Sequence, residues 1–373
     1  MRVALIHYWM INMRGGDKTL RAIADIFPEA DIYTHVVDQK VTDREFPGRK
    51  IRTTFIGGLP FARTLYQKYL PLMPLALEQL DLRDYDLIIS SESGPAKGVV
   101  IAPHATHICY CHSPMRYLWD MYHDYRDQAG VVTRVVMAPL LHRLRMWDQL
   151  SAQRVDDFVA NSKFVASRIG KYYRREATVI HPPVSVDDFS ISNIAEDFYL
   201  SVGQLVGYKR ADLLVEAFNA SGKRIVIIGE GELLPRLRKM AKPNVQLLGW
   251  QSSEVIRDHF RRCKAVVFPG VEDFGIVPVE AMACGKPVLA FGYGGALETV
   301  IDGLSGSLFY KQTVVGLNGA VDKFESALNQ FDSAAIRRHA EHFSVESFKN
   351  QFAAHVFKVV ARQEQFLNTH KKA

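Results

Sequence analysis

Two carboxylates eight residues apart, Glu272 and Glu280, bracket Gly275 in the stretch PGVEDFGIVPVEAMACGKPVLAF (269–291). The pattern puts Glu272 and Asp273 in a loop after an apolar strand, and Glu280 in a helix that Gly275 precedes. Carboxylates at a helix start ordinarily cap its free amides. Beside a glycine loop whose own N–H groups can take an anion, they have a second use, accepting hydrogen bonds from hydroxyls. A sugar nucleotide carries both kinds of group.

Three other strand-to-helix junctions carry residues fit for chemistry. In NMRGGDKTL (12–20), Gly15 and Gly16 stand where a helix begins, and glycines there let backbone amides approach an oxyanion closely. The spacing is neither the GxGxxG of a nicotinamide fold nor a Walker loop, and a plain glycine turn is the bland alternative. In SVGQLVGYKRADLL (201–214) a strand ends at Gly203, and Lys209 and Arg210 open a helix. Cations at a helix start oppose its dipole unless an anion is present, so this is a solvated charge pair or a diphosphate clamp. In ICYCHSPMRYLWDMY (108–122), His112 follows a buried strand and belongs at a sheet's carboxyl edge. His107, Cys109, Cys111 and His112 resemble a metal cluster, but alternate residues of one strand lie in a line rather than a tetrahedron. No metal is expected.

These junctions need parallel sheets to hold them, and short β-branched runs do alternate with amphipathic stretches. Strands are expected at 3–9, 31–37, 86–91, 106–111, 157–161 and 177–181, with helices at 17–27 and 162–173 between them. Residues 181–198, rich in proline, serine and acid, read as a linker. The alternation then restarts with strands at 198–203, 224–229, around VQLLG, 265–270 and 287–291, and helices at 210–221, near 231–241 and 252–262, and at 277–284. The expected architecture is α/β, with two Rossmann-like domains, 1–183 and 184–344, facing across a cleft. A helix at about 345–373 packs back toward the first domain. In such sheets ligands bind at the carboxyl ends of the strands.

Composition narrows the class. The 373 residues are 48% apolar and 23% charged, as in a globular protein with sizeable cores. The longest apolar run found, VVMAPLL (135–141), is far short of the ~20 residues needed to span a bilayer. The N-terminus reads as a first strand rather than a secretory leader, which points to the cytoplasm. Cys109 and Cys111, two apart in one strand, are badly placed to bridge, so free thiols are expected for all four cysteines. The net charge of +6 is uneven: residues 1–183 hold 24 Lys and Arg against 19 Asp and Glu, and the remainder 22 against 21. Residues 40–68 alone carry seven basic and two acidic side chains, which suggests an acidic surface or substrate. Nucleic acid is not the expected partner, since no binding motif for it is visible.

Taken together, the four junctions resemble the GT-B glycosyltransferases of family four, the retaining sugar-nucleotide transferases, over nearly the whole chain. The strongest part is EDFGIVPVEAMACGKPVLAFGYGGALETV (272–300), with the E-x7-E signature from Glu272 to Glu280. The resemblance implies that Glu280 holds the donor ribose. It implies that Glu272, with the backbone of Asp273, Phe274, Gly275, Ile276 and Val277, cradles the transferred sugar. Gly15 and Gly16 would approach the diphosphate, Lys209 would neutralise it, and His112 would lie near the sugar hydroxyls. NSKFVASRI (161–169) is similar to the family's segment near the interdomain cleft. One departure stands out: where the family commonly has arginine after the strand-ending glycine, this chain has Gln204. Glutamine donates a hydrogen bond without charge, so the leaving-group electrostatics pass to Lys209 and Arg210.

The implied reaction is front-face transfer with retention, without a metal or cofactor. The wording is most similar to bacterial mannosyltransferases, which makes GDP-mannose the expected donor, with UDP-glucose or another UDP-sugar as its rival. The expected acceptor is a lipid-pyrophosphate-linked glycan of cell-surface polysaccharide (O-antigen or exopolysaccharide) synthesis. The mixed basic and apolar segment 49–70, with Arg49, Lys50, Arg52, Arg63 and Lys68, would then lie on the cytoplasmic face of the inner membrane. Segment 134–154 has a similar mix but reads more simply as a packed helix. Two other readings stay open, a sugar-nucleotide 2-epimerase and an inactive nucleotide-binding scaffold. Only Gln204 favours the scaffold.

Overall fold

The computed structural model describes residues 1–128, 130–192 and 195–370. They form two compact units, one of Met1–Pro182 with the chain from Phe348 onward, the other of Pro183–Ser347.

The first unit is built on seven parallel strands: β1 (Val3–His7), β2 (Asp31–Thr34), β3 (Ile51–Thr53), β4 (Leu87–Glu92), β5 (Thr106–Cys111), β6 (Asp157–Ala160) and β7 (Thr178–Val179). Their order is β3-β2-β1-β4-β5-β6-β7. β1, β4 and β5 are buried along their whole length, although β4 (LIISSE) and β5 (THICYC) carry polar residues that must find partners inside. The order reverses between β1 and β4, and at such a switch point the chains leaving two neighbouring strands diverge and open a crevice. β1 stops at His7 rather than residue 9, because the chain swings outward to bridge Met10 with Val37.

The C-terminal helix, Val345–His370, joins this sheet through aromatic packing and charge. The Phe348 and Phe352 rings stack at 5.4 Å and meet Tyr110 of β5 edge-on, while His355 reaches Asp157 at 2.7 Å. Residues 371–373 of the expected helix lie outside the described residues.

The basic segment 49–70 does not read as a strand, yet it supplies β3 at the sheet edge, followed by short helical turns. Three residues are too few to display an alternation. Ile56, Ala62, Met73 and Ala76 from these turns form a small core with Val36. Segment 134–154 lies in the helix Val131–Ala152 except for Gln153, its C-cap, and Arg154, and Leu141 and Leu144 pack on Met115 and Leu118.

The second unit has six parallel strands: β8 (Tyr199–Val202), β9 (Ile225–Ile228), β10 (Val245–Gly249), β11 (Ala265–Phe268), β12 (Val288–Phe291) and β13 (Gly306–Phe309). Their order is β10-β9-β8-β11-β12-β13, with the reversal between β8 and β11. β13 was not expected, since GSLF carries no β-branched residue and only its pairing with β12 makes it a strand. Residues 181–198 are no loose tether: Val184 and Val186 are buried in this unit's core, and the Val184 amide donates to the Phe343 carbonyl at 2.9 Å. Asn193 and Ile194 lie outside the described residues.

All four cysteines are free and buried. Among the described residues no helix is long and apolar enough to cross a membrane.

Candidate active site

In the second unit the candidate residues gather at the β8/β11 switch point. After β8 the chain turns at Gly203 and Gln204 and makes a single 3-10 turn, Gly207–Lys209. The following helix begins only at Ala211, with Arg210 before it in the left-handed region at φ +55°. Arg210 turns its guanidinium to Asp212 at 3.2 Å, so its charge is met locally. Lys209 is pressed onto the end of β11. A Cβ at Gly270 would stand 2.7 Å from the Lys209 Cα, so only glycine permits the approach.

The Lys209 ammonium lies 2.8 Å from a Glu272 carboxylate oxygen, and both side chains are about one-fifth exposed, at 22% and 21%. They line a small, open pocket with Gly203, Gln204, Pro269 and Gly270. The anion that neutralises Lys209 in this structure is therefore Glu272. Gln204 itself is exposed at the rim.

The loop that follows is fixed by a second close approach. The Gly295 amide donates to the Glu272 carbonyl at 2.9 Å, and a Cβ at Gly295 would stand 2.4 Å from the Phe274 backbone. Phe274 is buried, and Gly275, at φ +87°, caps the helix Ile276–Ala283. That helix start leaves the amides of Ile276 and Val277 without an intrahelical acceptor, and Glu280, half-buried, is carried on its second turn.

In the first unit the β1/β4 switch point holds the other group. Gly15 and Gly16 are the first residues of the helix Gly15–Ile26, and Asp17 accepts the Arg14 amide at 3.0 Å. A Cβ at Gly16 would stand 2.3 Å from the Tyr8 hydroxyl and 3.6 Å from His112 Nε2. Gly16, Tyr8 and His112 are thus immediate neighbours. His112 is tethered three times: its amide donates to the Glu92 carbonyl at 2.8 Å, its carbonyl accepts from Asn161 Nδ2 at 2.9 Å, and Nε2 shares a 2.9 Å hydrogen bond with Ser91 Oγ. Burial, with His7 close by, pushes the His112 pKa down to about 3, which leaves a neutral imidazole.

Behind β4 is a buried charge cluster that sequence did not reveal. Lys97 Nζ lies 2.6 Å from Glu92 and also bonds Asp148, whose second oxygen accepts from Trp119 at 2.7 Å and Tyr173 at 2.9 Å. Burial raises the Glu92 pKa; for Lys97 burial acts downward, but Asp148 and Glu92 outweigh it and the net shift is upward. The cluster anchors the end of β4, and hence Ser91.

The strand-edge cluster of His107, Cys109 and Cys111 is dispersed among other partners. His107 Nε2 bonds Ser90 Oγ at 2.9 Å, and burial pushes both thiols up. Among the described residues no group of three or more metal-ligating side chains converges.

The basic surface needs correction at Arg49. Its guanidinium donates to the carbonyls of Ala24 at 2.7 Å, Phe27 at 3.0 Å and Pro28, closing the end of the Gly15–Ile26 helix. Arg49 is a cap. Arg63 pairs with Asp38, while Lys50 and Arg52 stand 3.8 and 4.0 Å from Asp31. Lys68 is exposed. The same lobe exposes Phe55, Leu72, Leu75 and, at 76%, Phe61, whose backbone is left-handed at φ +53°.

Two family profiles cover most of the chain end to end: "Glycosyltransferase Family 4" matches residues 13–188 and "Glycosyl transferases group 1" residues 187–338. The chain belongs to the family 4 glycosyltransferases. An uncharacterized glycosyltransferase of Methanocaldococcus jannaschii is 30% identical over 188 residues, 49% of this chain and 52% of that one. The chain thus spans about half the length of that relative. The alpha-1,3/1,6-mannosyltransferase ALG2 of Saccharomyces cerevisiae is 26% identical, over 86% of this family 4 chain and 75% of its own. The crystal structure of Anabaena HepE in complex with UDP and glucose superposes with a TM-score of 0.69 at 16% identity, covering 95% and 99% of the two chains. The sheets of seven and six parallel strands are those of the GT-B fold.

For this family 4 member, reading the sequence missed three supporting residues, Ser91, Gly270 and Gly295, and picked out Asn161 only as part of the segment 161–169. The glycines had a visible signal in PG and GG pairs after apolar runs. Ser91 had none, because a serine at a strand end looks the same with or without a histidine beside it.

Proposed function

We propose that the protein is a retaining glycosyltransferase that moves a hexose from a nucleoside diphosphate sugar to an acceptor hydroxyl. The observation that carries this reading is the Lys209–Glu272 pair in the β8/β11 cavity. A cation and a carboxylate neutralise each other's charge, with Glu272 Oε1 left without a hydrogen bond among the described residues, where a donor would use both, the ammonium on its diphosphate and the carboxylate on its sugar hydroxyls. Glu280 takes the ribose. Charge on the departing diphosphate is met by Lys209 and by the amides that follow Gly275. The oxocarbenium-like centre is then attacked by the acceptor hydroxyl from the face the diphosphate leaves, its proton passing to the departing diphosphate oxygen, which preserves the anomeric configuration. In the first unit, Gly15 and Gly16 offer amides to an oxyanion. His112, a neutral imidazole, hydrogen-bonds a sugar hydroxyl rather than delivering a proton.

GDP-mannose is the proposed donor, supported by the mannosyltransferase name of the yeast relative. UDP-glucose is its rival, on the strength of the UDP and glucose in the HepE structure. The proposed acceptor is a lipid-pyrophosphate-linked glycan of cell-surface polysaccharide synthesis, met at the cytoplasmic face of the inner membrane. Support for that placement is the lobe after β3. From Lys50 to Leu77 the chain has four cations and no acid, and it exposes Phe55, Phe61, Leu72 and Leu75. Apolar tips among cations suit an anionic bilayer surface.

The test is incubation of the pure protein with a panel of GDP- and UDP-sugars, with and without a lipid-pyrophosphate glycan, followed by mass spectrometry. Release of one nucleoside diphosphate, with an axial (α) linkage formed from an α-linked donor, is the expected result. An isomerised sugar would replace this reading with an epimerase, and turnover of UDP-glucose alone would replace the donor.

A further inference from the structure

Two adjacent serines at the carboxyl end of β4 each hold a histidine by its Nε2. Ser90 Oγ lies 2.9 Å from His107, and Ser91 Oγ lies 2.9 Å from His112. Successive strand residues face opposite sides of a sheet, so one device serves two surroundings. The Ser90–His107 pair is sealed in the core on both sides. Ser91 is only 1% exposed and is out of a substrate's reach, whereas His112 is partly exposed beside Gly16.

The tethers on His112 leave one polar atom free. Its amide is bound to the Glu92 carbonyl, its own carbonyl to Asn161, and Nε2 to Ser91. Nδ1 has no hydrogen-bond partner among the described residues. The second histidine torsion is broad and roughly two-fold, so backbone tethers alone do not choose between a ring and its half-turned image. The half turn would put Cδ2 where Nδ1 stands and replace a hydrogen-bonding nitrogen by carbon. Among the described residues, Ser91 is the one side chain hydrogen-bonded to that ring. Ser91 in turn cannot drift, since the next residue, Glu92, is locked by the Lys97 amide at 2.6 Å and by its ammonium.

Resting on the glycosyltransferase reading above, we propose that Ser91 is a positioning residue: its hydroxyl fixes the His112 ring so that Nδ1 faces the sugar hydroxyls. Ser91 touches no substrate and acts only through His112. Losing it should leave the nucleotide subsite intact and degrade the orientation of the sugar in the transition state. Small misplacements of this kind cost roughly 10- to 100-fold in rate.

The experiment uses the full chain with 15N-labelled histidine and compares wild type, Ser91→Ala and Ser91→Thr. Long-range 1H–15N spectra, with His112 identified through its loss in His112→Gln, report its ring state directly. One defined tautomer is expected in wild type and Ser91→Thr, and averaged nitrogen shifts in Ser91→Ala. In parallel, kcat should fall roughly 10- to 100-fold in Ser91→Ala, and recover in Ser91→Thr, while the Kd for free GDP or UDP stays within about twofold. An unchanged His112 spectrum in Ser91→Ala overturns the proposal whatever the kinetics. So does an unchanged kcat, or an equal loss of nucleotide affinity. If wild type turns over no sugar nucleotide, the transferase reading fails on its own, and the spectra still decide whether Ser91 sets the ring.

Discussion

Glu272→Gln should make the protein bind free nucleoside diphosphate more tightly while transferring sugar more slowly. The two charges stand 2.8 Å apart, each about one-fifth exposed. At that distance and an effective dielectric near 20, the bare attraction is about 6 kcal/mol. Desolvation and side-chain ordering cut the net worth of a partly exposed pair to about 1 kcal/mol. An incoming diphosphate that recruits Lys209 forfeits that amount, which is about fivefold in Kd. Glutamine keeps the shape of Glu272 but not its charge. It frees Lys209 beforehand and also removes a carboxylate that repels the phosphates. Titration calorimetry with GDP and with UDP should show a Kd about fivefold lower for the favoured nucleotide, with a steeper salt dependence. On a Lys209→Met background the same substitution should gain much less. Sugar transfer should fall, because an amide accepts a hydroxyl's hydrogen bond less strongly than a carboxylate. Unchanged or weaker nucleotide binding by Glu272→Gln would refute the idea that the pair is separated by the donor.

Glu280→Ala should weaken free nucleotide and intact donor alike, by about tenfold for a lost charged hydrogen bond, and equal affinity by calorimetry would remove it from the ribose. Gly16→Ala puts a Cβ 2.3 Å from the Tyr8 hydroxyl, so either Tyr8 or the loop must move. Turnover should drop while the urea midpoint shifts by far less than for a core substitution; wild-type turnover would show that the glycine pair is a plain turn. Phe61→Asp should reduce co-sedimentation with anionic vesicles without altering soluble donor hydrolysis, and undiminished pelleting would clear the lobe of membrane contact. Burial holds His35 at about 4, and His107 and His112 at about 3, against an ordinary 6.5. The unfolded chain therefore takes up protons below pH 6.5 that the folded chain refuses. Stability should fall on acidification by up to about 1.4 kcal/mol per histidine per pH unit. A urea midpoint that holds steady from pH 7.5 to 5 would contradict those burials.

What was legible in the sequence follows from what each feature needs. β1, β4 and β5 are buried on both faces, and the apolar or β-branched stretches VALI, LII and ICYC within them announce them without context. β3 and β13 have three and four residues, and exist only because β2 and β12 offer free edges. Glu272, Glu280, Gly15, Gly16 and Lys209 were visible because glycine and charge are unusual at a strand-to-helix junction. Their partners were not. Nothing in the sequence joins Lys209 to Glu272 across 62 intervening positions, or Lys97 to Asp148, since sheet order decides both. Arg49 shows the opposite error. Its charge was legible and its use was not, because a cation in a basic run looks like surface until the helix end it caps is in view.

Gln204 gives the Lys209–Glu272 pair its meaning. Among the residues lining the cavity, Lys209 is the only cation and Glu272 the only anion, while Arg210 is turned to Asp212. With arginine in place of Gln204 the lining would carry a net positive charge and would hold any diphosphate, product included. With glutamine it is neutral at rest. Free nucleoside diphosphate gains Lys209 but strands Glu272 beside its phosphates, whereas a sugar-bearing donor supplies hydroxyls for the carboxylate it displaces. On the proposed reading the neutral pair therefore favours the intact donor over the spent nucleotide, and release of product restores the ion pair. Gln204→Arg tests the point in the direction opposite to a loss of function: GDP or UDP should bind more tightly and inhibit turnover more strongly, and an arginine that left product inhibition unchanged would show that the charge of this cavity does not set the preference.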